Sequence, residues 1–191
     1  MISHSIPAAL ILFMGLASNA CSSPSGASRT PAPPPHASMS IMEEPSNLVT
    51  QTGTIYGTLE LPAATFPVPV VLIIAGSGPT DRDGNSKALP GSNNSLKLLA
   101  SELASRGIAS VRYDKRGIAA SMASAGTERD LRFDNYVADA EGWIRKLRSD
   151  SRFTAITVAG HSEGSLVGMI AAREAGADGY VSLEGDRKSV V

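Results

Sequence analysis

The residues best suited to chemistry are Gly160-His161-Ser162-Glu163-Gly164. A G-x-S-x-G pattern sets a serine on a sharp turn when a strand precedes it and a helix follows. Both flanks fit: Ala155–Ala159 (AITVA) is a short apolar run, and Glu163–Ala175 has helical composition. Gly160 and Gly164 stand two positions either side of the serine, where missing side chains let strand and helix approach closely. The turn pushes the Ser162 hydroxyl into the open at a helix N-terminus, whose dipole favours developing negative charge. Attack of that hydroxyl on a carbonyl needs two backbone N–H groups aimed at the resulting oxyanion. Glu163, directly after the serine, supplies one. Gly76-Ser77-Gly78, closing another apolar run, supplies the other from Ser77, with Gly78 as a second candidate. The alternative for this loop, a phosphate cradle, lacks its G-x-x-x-x-G-K pattern.

Two charged groups lie near these motifs. Asp114 and Arg116, in Tyr113-Asp114-Lys115-Arg116-Gly117, are expected to hold loops by charge-assisted hydrogen bonds rather than to react. Asp81, Arg82 and Asp83 are expected to be solvated loop residues, with shaping of a substrate mouth as the second reading. A serine nucleophile also needs a base and an acid that orients it. The chain has 3 histidines, His4, His36 and His161. His4 stands in a signal-like segment and His36 in a tether, both described below, and the turn is expected to aim His161 away from the serine hydroxyl. No histidine here fits, so the catalytic histidine is expected to be absent from this chain, leaving it inactive as it stands. That the acid is absent with it is what the resemblance to α/β hydrolases described below implies, since there both follow the nucleophile in chain order.

The elements that must position these residues alternate in type. Thr54–Leu61 alternates in polarity like a half-buried strand, and Val70–Ala75 (VVLIIA) is a continuous run like a strand covered on both faces. A helix is predicted over Ser95–Arg106, stopped by Gly107, then a strand over Ile108–Tyr113 and a helix over Phe133–Leu147. The strand Ala155–Ala159, the helix Glu163–Ala175 and a strand from Tyr180 to Leu183 complete the series. Alternation with short connections specifies an α/β fold, a largely parallel sheet between two helical layers.

Before that fold the chain changes character. Ile6–Ala17 is a short apolar run followed by Ser18-Asn19-Ala20, so residues 1–20 read as a signal peptide for export. Cys21, the single cysteine, follows at once and resembles the lipidated residue of a bacterial lipoprotein, anchoring the protein to the cell envelope; ordinary secretion or a periplasmic location is the alternative. Residues 21–47 are rich in Ser, Pro and Ala and are expected to form a flexible tether, with the folded domain spanning 48–185. With 17 basic and 18 acidic residues the net charge is −1, which gives no field for nucleic acid. One cysteine excludes an internal disulfide and a thiolate zinc site, and no metal or other cofactor is expected.

The segments IIAGSGPTDRDGN (Ile73–Asn85), YDKRG (Tyr113–Gly117) and GHSEGS (Gly160–Ser165), in this order, resemble the N-terminal half of an α/β hydrolase near the serine aminopeptidase and acyl-esterase branch. The resemblance implies a three-layer αβα fold with an eight-stranded sheet, here C-terminally truncated. It also implies a Ser-His-acid triad and metal-free hydrolysis of small-molecule esters or related acyl compounds. Ala75 stands where many relatives carry the histidine of a His-Gly oxyanion motif. A serine aminopeptidase-type peptidase and a non-catalytic binding protein on the same scaffold are the competing readings. The final Asp186–Val191 (DRKSVV) matches the in-frame translation of a common short-read sequencing adapter and is expected to be an assembly artefact.

Overall fold

The computed structural model describes residues 41–127, 129 and 131–185. The signal-like segment, Cys21, residues 21–40 and Asp186–Val191 lie outside the described residues. Six strands occur among the described residues: β1 (Met42–Thr50), β2 (Gly53–Leu61), β3 (Val68–Ile74), β4 (Ala109–Tyr113), β5 (Phe153–His161) and β6 (Gly179–Leu183). They form one sheet in the order β1-β2-β4-β3-β5-β6. β1, β2 and β4 pair antiparallel, while β4, β3, β5 and β6 run parallel.

Helix α1 (Ser95–Ser105) links β3 to β4, α2 (Phe133–Arg148) links β4 to β5, and α3 (Glu163–Glu174) links β5 to β6. The apolar run in β3 is buried from both sides because successive side chains point to opposite faces. Val70, Leu72 and Ile74 join the larger core cluster with Trp143 and Ile144 of α2 and Val167 of α3. Ile73 and the following Ala75 instead meet Leu96 and Ala100 of α1. Helices therefore cover both faces, giving the three-layer α/β arrangement. Each such Leu, Ile or Val stabilises the fold by about 1.5–3 kcal/mol relative to exposure. The predicted stop of α1 also holds: Gly107 takes a φ of 79°, the left-handed conformation that ends a helix.

The tether expectation is corrected at its C-terminal end. Residues 42–47 belong to β1, so the folded part already includes them, ahead of the expected start at residue 48. Among the described residues β1 is an edge strand, paired only with β2. There Pro45 is tolerated although it lacks an N–H, and charged side chains can face water.

Two ionic groups tie the loops to this frame. Arg112, 1% exposed in β4, reaches Asp83 Oδ1 at 2.8 Å, Glu60 Oε2 at 2.6 Å and Glu43 Oε1 at 2.5 Å. Arg116 grips Asp139 of α2 in a two-pronged pair, Nε to Oδ2 at 2.9 Å and Nη2 to Oδ1 at 2.5 Å. Burial raises the Asp139 carboxyl above its ordinary range and the Arg116 guanidinium opposes that rise. Removing either partner would strand a buried charge, which costs far more than the intact pair contributes.

Candidate active site

β5 and β3 are neighbours, yet β5 leads into α3 on one face while β3 leads towards α1 on the other. Chains that leave adjacent parallel strands in opposite directions open a crevice at the strands' carboxyl ends. Ser162 directly follows β5 there, and Gly76-Ser77 follows β3 there. Ser162 is exposed and takes φ 52°, ψ −119°, a conformation costly for any residue with a Cβ. It is held by its surroundings. Its N–H donates to Leu183 O at 2.9 Å, and its carbonyl accepts from Ser165 N at 2.9 Å.

The glycines of the motif are required by contact. A Cβ on Gly160 would stand 2.1 Å from Gly164 O, and one on Gly164 would stand 2.5 Å from Ile74 O. Both neighbours are backbone, which cannot rotate aside. Ser165 closes the turn by donating its hydroxyl to Gly160 O at 2.5 Å.

Ser77, Ser162 and His161 line one cavity of about 730 Å³, together with Leu96 and Leu99 of α1 and Glu184. Glu163 is the first residue of α3, so its N–H belongs to the helix's free N-terminal set and adjoins Ser162. The structure thus brings Ser162, Ser77 and Glu163 to one place. Gly78, at φ 70°, is exposed one residue further out.

His161 differs in part from expectation. No hydrogen bond joins it to the Ser162 hydroxyl among the described residues. It nonetheless lines the same cavity, with Nε2 3.3 Å from Glu184 Oε2.

The charge cluster after β4 does the holding that was expected of it. Arg82 donates from its backbone N–H to Asp114 Oδ1 at 2.8 Å and from Nη2 to Oδ2 at 2.7 Å. Ala120 N adds a bond to Asp114 Oδ2 at 3.1 Å. Solvation of Asp81, Arg82 and Asp83 is corrected. Asp81 Oδ1 accepts from the N–H groups of Asp83 at 3.0 Å and Asn85 at 2.9 Å, and Asp83 pairs with Arg112. These residues brace the loop between β3 and α1, which forms one wall of the cavity.

Lys115 was not singled out by its sequence. Its side chain is 6% exposed, and its ammonium donates to Gly76 O and lies 3.3 Å from Glu163 Oε2. Burial pulls its pKa below the ordinary lysine value, against the opposing pull of the Glu163 carboxylate.

A mixed sheet with parallel strands at its centre, helices on both faces and a strained serine between strand and helix is the α/β-hydrolase fold, and this chain has it. Residues 92–182 match the family model described as "Serine aminopeptidase, S33". The chain is 29% identical over 129 residues to esterase EstD of Thermotoga maritima, covering 66% of this chain and 29% of that protein. Among solved structures it is similar to the α/β hydrolase GrgF from a Penicillium species, with TM-score 0.62 and 19% identity, covering 75% of this chain and 46% of that one. It is similar also to a dienelactone hydrolase from Anabaena variabilis, with TM-score 0.57 and 20% identity, covering 76% of this chain and 64% of that one. The chain thus spans less than a third of the curated relative's length. Of the eight strands the resemblance implied, six occur among the described residues.

Proposed function

We propose that this chain carries the nucleophile and oxyanion donors of a serine esterase acting on small-molecule esters. The observation behind this reading is the strained, exposed Ser162 sharing a cavity with Ser77. In the reaction, Ser162 Oγ attacks the ester carbonyl as a base takes its proton. The N–H groups of Ser77 and Glu163 hold the oxyanion, and the alcohol leaves with the returned proton. Water then attacks the acyl-enzyme, the base takes one of its protons, and the acid departs as Oγ is reprotonated. The resemblance implies that in the whole protein the base is a histidine following the nucleophile in chain order. Without that base, residues 1–191 alone are proposed to be inactive.

The matching family model favours a peptidase as the second reading. An aminopeptidase must hold a free α-ammonium, for which a carboxylate is the natural partner. Glu184 is the acidic residue lining the cavity among the described residues, and it is already engaged by His161. Apolar Leu89, Leu96, Leu99 and Leu183 line the rest with small polar groups, which suits a neutral ester better.

The proposal includes export and lipid attachment at Cys21, both resting on the sequence alone. One experiment covers substrate and location: fractionate cells making the whole protein, and assay p-nitrophenyl butyrate beside aminoacyl p-nitroanilides. Ester hydrolysis should dominate in the envelope membrane fraction and move to the soluble fraction on Cys21→Ala. Preferential anilide cleavage would establish the peptidase instead, and no turnover of either would point to a binding scaffold. Ester hydrolysis that is soluble from the start would rule out the anchor.

A further inference from the structure

We propose that Lys115 is a positioning residue that fixes the Gly76–Ser77 peptide with its N–H facing the oxyanion. The inference rests on the proposed roles of Ser162 and Ser77. A trans peptide unit is planar, and its C=O and N–H point in opposite directions. Gly76 O and Ser77 N belong to one such unit. Whatever grips the carbonyl from one side therefore aims the N–H to the other.

Lys115 grips that carbonyl from within the protein. Its side chain is 6% exposed and donates to Gly76 O, and Gly76 is itself buried. Gly76 and Ser77 both line the cavity, and a Cβ placed on Gly76 would lie 3.3 Å from Ser162 Cβ. With its carbonyl held inside the protein, the unit is left to turn its N–H towards that cavity. The free orientation of the peptide is thus removed before substrate arrives, which is what makes a dipole effective at the moment charge develops.

The same ammonium lies 3.3 Å from Glu163 Oε2, and the ring centroid of Tyr136 is 5.7 Å away. Glu163 carries the other proposed donor N–H. A single cation therefore contacts both donor-bearing segments, one through a carbonyl and one through a side chain. An ammonium has three donors and no acceptor, so it can serve both acceptors at once. A buried ammonium without them would be heavily penalised, which keeps the two segments drawn to it.

The test is Lys115→Met in the whole protein, which keeps the aliphatic stem and removes the donor. Misorienting one oxyanion donor should lower kcat for a p-nitrophenyl ester on the order of 10²-fold. KM should stay within about threefold, because ground-state binding makes little use of that donor. Affinity for an alkyl trifluoromethyl ketone, which forms a tetrahedral oxyanion on the serine, should fall in parallel with kcat. Lys115→Gln, which retains a neutral donor, is measured beside it and replaces it if the methionine variant does not fold. An unchanged kcat in a folded variant, or an undiminished affinity for the ketone, overturns the proposal. So does failure of both variants to fold, which would make Lys115 a purely structural residue. Ser162→Ala run in parallel separates the two layers: full turnover there sinks the nucleophile assignment and this inference with it. Loss there beside an unaffected Lys115→Met sinks this inference alone.

Discussion

Replacing Ser162 with alanine in the whole protein is expected to lower kcat for ester hydrolysis by roughly 10⁵- to 10⁶-fold while the fold stays intact. The size follows from the chemistry. Without Oγ no acyl-enzyme forms, and what remains is the help that oxyanion donors give to direct attack by water. The intact fold follows from the structure. Ser162 is exposed, and its backbone is held through its N–H to Leu183 O and its carbonyl to Ser165 N. Alanine keeps both. Its Cβ meets the same strain at φ 52° that serine already bears. Urea unfolding should therefore give nearly the same midpoint for both proteins. Substantial turnover in a folded variant would remove Ser162 from the mechanism.

Gly160→Ala is expected to destabilise the protein by about 3 kcal/mol or more, a cost reserved for severe core clashes. The new Cβ would meet Gly164 O at 2.1 Å, Gly164 C at 2.5 Å and Ser165 Cα at 2.6 Å. All three are backbone atoms of the first turn of α3. Relief requires α3 to move off β5, and that movement also displaces Ser162 and the Glu163 N–H. Stability and activity should fall together. Gly176→Ala is the control: Gly176 has φ 68° but open space around its Cβ position, so alanine there meets only the local backbone strain of the left-handed conformation, about 1–2 kcal/mol. Equal losses for the two substitutions, by urea unfolding, would show that contact at Gly160 is not what requires glycine.

What the sequence showed and what it hid differ by a physical rule. Val70–Ala75 was legible because a strand between two helical layers must be apolar on both faces, and few other elements look like it. The turn at Ser162 was legible because its geometry demands glycine at fixed offsets, and Gly160 and Gly164 are those glycines. β1 was not legible. Glu43, Glu44 and Pro45 read as loop, yet an edge strand needs only one hydrogen-bonded side, and its pairing with β2 outweighs local preference.

Lys115 was hidden for a related reason. A lysine in a turn is ordinarily solvated, and nothing in YDKRG reports that Gly76 O and the Glu163 carboxylate converge on it from elements far away in sequence. Arg82 and Asp83 were underestimated likewise, because their partners Asp114 and Arg112 lie on another strand and its exit. His161 was set aside as the residue before the nucleophile. Its partner in the cavity, Glu184, follows β6 and comes near because β6 pairs with β5.

The central claim, that Ser162 is an activated nucleophile, is tested most directly by treating the whole native protein with a fluorophosphonate and mapping the adduct by peptide mass spectrometry. One stoichiometric adduct is expected on the peptide containing Ser162, lost on prior heat denaturation. A folded protein that takes no label, or takes it at another residue, would contradict the claim.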